Sequence, residues 1–382
     1  MPTSKGKNLL YRCMLPAAPR LHGSPVSDFY GHKIEYFPHL KRIIRHHHIS
    51  GGAFLFSSGS SQSYVYTKAY HTSVLSGSQI YFRVASVTKM ATALLAFRLQ
   101  EKGCIDLSAP VLHYLPEVGE LPELKDVTLL HLLSHTSGLA DPPDLESMLI
   151  HHTPFPKAVT GCRYAEPGAS FRYSNLGYGL LGCVYEAVLN APLGRIYEEE
   201  LFARLSMNAS IEGSSLPPDQ IMPVVRILPY HPSRMLSVTE LGKIPLTSAD
   251  PLYHYGHSAG SMYTDLPSLY KLLVCIRDSG APLLSSPHTM KRQLASYGAI
   301  SPTLSYGAGL LIIRDPSISA SPVYGHQGFA YGCVDGAFWE DTTGNIIISL
   351  NGGCSEARKG RLGAVNADLC RWAFKKELPT WT

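Results

Sequence analysis

The sequence has little charge. Only 16% of its 382 residues are Asp, Glu, Lys or Arg, against 45% hydrophobic, and the formal net charge is +4. No Lys/Arg cluster is interleaved with aromatics, so nucleic acid is not expected as a partner. No uninterrupted apolar run reaches the length of a membrane span, about 20 residues, so no membrane partner is expected. The eight cysteines contain no C-x-x-C pair. Their scatter excludes a zinc knuckle and argues for reduced, mostly buried thiols over a disulfide frame. The basic start at Lys5 and Lys7 is not followed by an apolar stretch, because Arg12, Pro16, Pro19 and Arg20 interrupt it. No signal peptide is read there, and a cytoplasmic location is expected. Internal repeats are also missing. His131 and His135 are four apart, but HLLSH lacks the Glu of H-E-x-x-H. His46-His47-His48 has no carboxylate cluster in its sequence neighbourhood and reads as the cap of a solvated helix end. Neither metal nor cofactor is expected, and the pattern leaves the oligomeric state open.

The composition that remains is that of a globular chain long enough for one large domain or two. Residues 1–35 mix Pro, Gly and basic residues and read as an irregular arm. Residues 37–48 have helical spacing and end at Gly51-Gly52. Ala53–Ser57 and Ser63–Tyr70 read as strands across a Gly/Ser turn, and Ile80–Val84 as a short strand. A helix is expected from Ser86 to about Lys102. Val127–Ser134, Ser174–Leu189, Arg195–Leu205 and Leu266–Ser279 read as further helices. The stretch 140–170 reads as a surface excursion, and 206–260 as loop with short strands. Tyr306–Ile313, Ala337–Trp339 and Asn345–Leu350 read as strands, and Leu362–Lys375 as a closing helix. The order suggests an α+β fold, with one sheet assembled from both ends of the chain and a mainly helical region inserted between. The expected division is a sheet unit over 36–100 and 296–375, with the insert over 101–295.

The stretch VASVTKMATALLAFRL, residues 84–99, carries the sharpest chemical signal. Ser86 stands where the helical run begins and Lys89 follows at i+3, on the same face. The first backbone N–H groups of a helix have no internal partner, so this end stabilises an alkoxide or oxyanion. Ser4–Lys7 and Ser268–Lys271 match the same Ser-x-x-Lys spacing, so the motif needs its context. Two later segments supply it. Tyr173-Ser174-Asn175 stands at the mouth of a strong helix and is the only Tyr-x-Asn in the chain. His326-Gln327-Gly328 precedes the C-terminal strands, although His254–Gly256 also reads His-x-Gly.

Taken in order, these segments resemble the β-lactamase-like serine hydrolases, in the branch of class C β-lactamases, D-alanyl-D-alanine carboxypeptidases, D-aminopeptidases and certain esterases. The resemblance runs over roughly 35–375. It includes FRVASVTK, LLSHTSGL at 132–139, PGASFRYSN at 167–175, AGSMYTDL at 259–266 and GHQGFAYG at 325–332. It implies a β-lactamase/transpeptidase-like fold, with an antiparallel sheet flanked by helices. It also implies roles: Ser86 as nucleophile, Lys89 as its base with a lowered amine pKa, and Tyr173 as partner in the proton relay. Asn175 would position Lys89 and the substrate, and the N–H groups of Ser86 and Phe329 would form the oxyanion hole beside Gly328. His135 would have a structural place near the domain junction. In true β-lactamases the third motif carries Lys, which grips the antibiotic's carboxylate. Here it is His326, which gives only part of a positive charge near pH 7. The expected substrate is therefore a small ester, amide or D-amino-acid peptide.

Four alternatives stay open at this level: an acyltransferase using the same acyl-enzyme, a β-lactamase, a penicillin-binding or sensing module that does not turn over, and an α/β-hydrolase. The last rests on Gly256-His257-Ser258-Ala259-Gly260, a G-x-S-x-G with Ser258 as nucleophile and Asp278 or Asp315, then His326, following in chain order. Tyr230, Tyr253, Tyr255, Tyr263, Phe329 and Tyr331 either line an acyl pocket or simply pack.

Overall fold

The computed structural model describes residues 29–32, 37–49, 51–67, 79–119, 121–226, 231–232, 255–286, 295–330, 332–354 and 362–375. Its centre is a nine-stranded antiparallel sheet. The strands run, edge to edge, Phe29–His32, Ser61–Thr67, Gly52–Ser58, Ile346–Asn351, Cys333–Glu340, Val323–Ala330, Leu311–Ile313, Leu304–Tyr306 and Gly298–Ser301. The N-terminal and C-terminal parts of the chain meet where Gly52–Ser58 pairs with Ile346–Asn351, for example Leu55 opposite Ile348.

Both middle strands from the C-terminal part are buried along their whole length, so the sheet is covered on both faces. Side chains alternate across it with period two. Phe54, Phe56 and Ile347 pack with Ile43, Ile44, Val365 and Trp372, from the helices Phe37–His46 and Ala364–Lys375. Ala53, Leu55, Ile346 and Ile348 face the other way, into the core that contains the helices Thr88–Glu101 and Leu266–Arg277. Helix Thr88–Glu101 is apolar nearly all round, and eleven of its fourteen residues are buried. That is the pattern of a helix surrounded by protein.

One expected strand is drawn differently, and two further strands were not expected. Tyr306–Ile313 is not one strand but two, Leu304–Tyr306 and Leu311–Ile313, folded back on each other where Gly307 N–H bonds the Leu310 carbonyl at 2.8 Å. Val323–Ala330, whose polar and glycine positions hide its alternation, is a full strand and carries the third motif. Phe29–His32 is an edge strand within the stretch expected to be irregular. Of that arm, residues 1–28 and 33–36 lie outside the described residues, as do Lys68–Tyr70 of the expected second strand.

The insert is less uniformly helical than expected. A small sheet joins Phe82–Arg83 to Tyr263–Thr264 and Ala209–Ser210, tying the segment before Ser86 to the insert. The expected helix Arg195–Leu205 is Leu193–Tyr197 followed by a wider π-turn, Glu198–Phe202. The excursion at 140–170 holds two short helices, Leu145–Ile150 and Phe155–Val159, which bury Leu149 and Phe155. Among the described residues, no helix is long and apolar enough to cross a membrane.

Candidate active site

Ser86 sits in a single 3-10 turn, Ala85–Val87, which runs into helix Thr88–Glu101. Ala85 has φ +47, a left-handed conformation that costs a non-glycine residue about 1–3 kcal/mol. Three hydrogen bonds hold the turn. Val84 N–H donates to the Met262 carbonyl at 3.0 Å. Thr88 Oγ1 donates to the Ala85 carbonyl at 2.6 Å and accepts from Met262 N–H at 3.1 Å. Strand Val323–Ala330 presses on the turn from the other side. A Cβ at Gly328 would lie 2.2 Å from the Val84 carbonyl oxygen, so only glycine allows this approach.

Lys89 is completely buried. Its Nζ meets Ser86 Oγ at 3.3 Å, Asn175 Oδ1 at 2.9 Å and the Ala259 carbonyl at 2.7 Å. Burial disfavours the ammonium and lowers the amine pKa to about 7, with the Asp141 carboxylate opposing. The contacts then dictate the proton arrangement. A neutral amine has two hydrogens and one lone pair. Ala259 O and Asn175 Oδ1 can only accept, so they take both hydrogens. The lone pair is left facing Ser86.

Asn175 opens helix Asn175–Leu189 and is fixed from behind. Asp141 accepts from Asn175 Nδ2 at 2.8 Å, Asn175 N–H at 3.0 Å, Leu176 N–H at 2.9 Å and Ser174 Oγ at 2.8 Å. A carboxylate at a helix N-terminus is favoured by the unpaired N–H groups there. Because Asp141 takes the amide nitrogen, Asn175 must turn its oxygen to Lys89. Burial raises the pKa of the Tyr173 phenol, with Ser86 opposing, so the hydroxyl keeps its proton. Lys89 Nζ lies 4.8 Å from the Tyr173 ring centre.

His326 does not match its expected charge. It is 3% exposed, and burial, helped by Lys89, lowers its pKa to about 3. The ring is neutral at pH 7 and carries no part of a positive charge. Its Nδ1 lies 2.6 Å from the Gln327 carbonyl, which can only accept. The proton is therefore on Nδ1, and Nε2 accepts from the Tyr306 hydroxyl. Both ring nitrogens are committed to the protein.

Ser86, Lys89, Tyr173 and Asn175 thus converge, with Gly328 against the turn that carries Ser86. Ser258 does not join them. It lies in the four-residue helix His257–Gly260, has no exposed surface, and its Oγ is 2.1 Å from where a Cβ at Gly182 would be. The G-x-S-x-G segment works through its backbone instead: Ala259 O holds Lys89, and Ser258 O accepts from Thr92 Oγ1 at 2.6 Å. Tyr255 and Tyr263 are core residues, Tyr255 donating its hydroxyl to the Thr153 carbonyl at 2.8 Å. Tyr230, Tyr253 and Tyr331 lie outside the described residues.

The histidine pairs also resolve. His131 Nδ1 accepts from Thr128 N–H at 3.2 Å in a capping box. His47 is not a solvated cap: it is buried and bonds Asp368 at 2.8 Å, a carboxylate 321 residues away in sequence. Among the described residues no group of three or more His, Cys, Asp or Glu could hold a metal ion. Sequence reasoning missed Asp141 and the Ala259 carbonyl. Asp141 is the first acid after Asp126 in an apolar stretch, a weak signal, and a backbone carbonyl gives none.

A family model described as Beta-lactamase matches residues 78–348. Among curated proteins, a beta-lactamase of Providencia stuartii is 29% identical over 209 residues, covering 53% of this chain and 52% of that protein. Esterase EstB of Burkholderia gladioli is 28% identical over 300 residues, covering 65% of this chain and 73% of that protein. The chain therefore spans about half the length of the first and nearly three quarters of the second. Among solved structures, D-amino acid amidase from Ochrobactrum anthropi SV3, complexed with D-phenylalanine, superposes with TM-score 0.69 at 20% identity, over 90% of this chain and 99% of that one. That likeness shows the fold.

Proposed function

The chain belongs to the beta-lactamase family, and from that premise we propose that it is a serine hydrolase acting through an acyl-enzyme on Ser86, with uncharged esters or small amides as substrates. The observation that carries this reading is the buried Lys89 Nζ, 3.3 Å from Ser86 Oγ and held between the Asn175 Oδ1 and Ala259 carbonyl acceptors. Lys89 takes the Ser86 proton as Oγ forms its bond to the acyl carbon. The tetrahedral oxyanion is bound by the N–H groups of Ser86 and Phe329. As the intermediate collapses, the bond to the leaving group breaks and that group receives a proton from the Lys89–Tyr173 pair. Water then attacks the acyl-enzyme by the same route in reverse, its proton passing to Lys89, and Ser86 leaves with a proton restored.

Two further observations bear on the substrate. The Tyr173 phenol holds its proton, which suits a donor and leaves Lys89 as the base. A neutral His326 with both nitrogens engaged offers no cation for a carboxylate, in contrast to the Lys of the β-lactamase motif. This favours an ester or amide without a carboxylate over a β-lactam.

The test is intact-mass analysis with peptide mapping after treatment with a p-nitrophenyl ester, a β-lactam and a fluorophosphonate. The parent and Ser86→Ala proteins are compared. The expected result is a fluorophosphonate adduct on Ser86, fast ester turnover, poor β-lactam acylation, and neither adduct nor turnover in Ser86→Ala. Full turnover by Ser86→Ala would sink the assignment. A β-lactam adduct on Ser86 that never leaves would replace hydrolysis with sensing.

A further inference from the structure

We propose that His135 is the positioning residue of Tyr173, holding the phenol on Ser86 for the deacylation half of the reaction; this rests on the acyl-enzyme reading above. His135 holds the segment Arg172–Ser174 at three points. Its carbonyl accepts from Arg172 N–H at 2.9 Å, and its Nδ1 accepts from Ser174 N–H at 3.1 Å. The residues on either side of Tyr173 are thus tied to one histidine. The imidazole also packs on the phenol ring, with centres 4.3 Å apart and planes 34° from parallel. Rotation of the Tyr173 ring and sliding of its backbone are restrained together.

The support continues behind His135. Its ring lies 4.9 Å from the Tyr178 ring and 4.7 Å from the Tyr306 ring. Tyr306 in turn bonds His326, in the strand that carries Gly328 and Phe329. One buried column of rings therefore connects the Tyr173 phenol to the strand pressed on the nucleophile turn.

His135 occupies its place at a cost. Its φ is +57, although it is not glycine. It is 1% exposed, and among the described residues its Nε2 has no hydrogen-bond partner. Since Nδ1 accepts from Ser174, a neutral ring must carry its hydrogen on Nε2, where it meets only aromatic surroundings. A buried donor without an acceptor costs about 1–3 kcal/mol, and a left-handed residue adds to that. Such costs gather at functional sites. Burial, with Lys89 and His326, disfavours protonation of His135, and the phenols packed on its ring are those of Tyr173, Tyr178 and Tyr306. The imidazole acts here by shape and hydrogen bonding, with no charge of its own.

The obvious variant, His135→Ala, leaves the buried Ser174 N–H without its acceptor and puts alanine at a positive φ, so it is at risk of misfolding. His135→Asn is the decisive one. Asn tolerates a positive φ and its Oδ1 can replace Nδ1 as acceptor for Ser174 N–H, but it has no ring to hold the phenol. Both are compared with the parent by stopped-flow burst kinetics on p-nitrophenyl acetate, intact mass of the acyl-enzyme, and thermal melting. For His135→Asn the expected result is a near-parent melt, an acylation burst within about threefold of the parent because p-nitrophenolate departs without a proton from Tyr173, and deacylation slowed about ten- to a hundredfold, the scale of a misplaced catalytic group. Acyl-Ser86 should then accumulate. In a Tyr173→Phe background the same substitution should change deacylation little, because the two act through one group. A folded His135→Asn protein that deacylates at the parent rate overturns the proposal. So does an equal loss in both half-reactions that tracks the loss of stability. A parent protein never acylated on Ser86 would overturn the underlying reading instead.

Discussion

The strongest quantitative expectation concerns pH. An amine pKa near 7 in place of 10.5 is a drop of about 3.5 units, or roughly 5 kcal/mol disfavouring the buried ammonium at 1.36 kcal/mol per unit. Acylation needs the neutral amine, so kcat/KM follows its fraction. That fraction is about one half at pH 7, one tenth at pH 6 and one hundredth at pH 5, by the titration of a single group. The rate should therefore rise about fifty-fold from pH 5 to pH 7 and level off above pH 8. No second limb is expected between pH 5 and 9, because the pKa of His326 is lowered to about 3 and the Tyr173 phenol is held above its usual value. The assay is initial-rate hydrolysis of a p-nitrophenyl ester from pH 5 to 9 at constant ionic strength. Circular dichroism at each pH is the control, since stability also depends on pH. His326 binds a proton less readily folded than unfolded, so its contribution falls away as pH drops from 6.5 towards 3. Lys89 acts in a higher window: the unfolded chain is protonated and the folded one is not, so stability rises from about pH 7 to 10.5. A flat rate profile down to pH 5 in folded protein would refute Lys89 as a neutral base.

Two substitutions test the frame around that amine. Asp141→Asn removes the charge that favours the ammonium, so the acid limb should move to lower pH, while the plateau rate falls as Asn175 loosens; loss of charged hydrogen bonds should cost about 1–3 kcal/mol in chemical denaturation. Ser258→Ala, which trims a buried hydroxyl on Gly182 and leaves the Ala259 carbonyl in place, should keep ester turnover within about twofold and stability within about 1 kcal/mol, and loss of fluorophosphonate labelling in that variant would revive Ser258 as nucleophile.

What could be read ahead from the sequence follows a physical pattern. Helices Thr88–Glu101 and Asn175–Leu189 were visible because their apolar runs are long and have clear stops at Gly103 and Asn190. The sheet's origin from both chain ends was visible because Gly52–Ser58 and Ile346–Asn351 are rich in apolar β-formers. Strand Val323–Ala330 was harder: VYGHQGFA holds two glycines, a His and a Gln, and propensity cannot see that these residues are kept in the sheet by pairing on both sides. The fold at Gly307–Leu310 was missed because Tyr306–Ile313 has the composition of one strand.

At the site, residues that act through side chains at fixed local spacing were legible. Ser86 and Lys89 are three apart, and Tyr173 and Asn175 two apart, so each pair is a motif. Asp141 was not, since it reaches Asn175 across 34 residues and only folding brings it there. His326 shows the opposite error. Its type was read correctly and its charge was not, because protonation depends on burial and on Lys89, neither of which spacing reports. The same desolvation that leaves His326 neutral lowers the Lys89 amine to about 7, so that part of it is unprotonated at pH 7. A cation at position 326 able to grip a carboxylate would stand in the same buried surroundings as the amine and disfavour its ammonium further. On the proposed mechanism the neutral His326 and the neutral form of Lys89 are both consequences of one dry environment, which is better matched to an uncharged ester than to an anionic substrate.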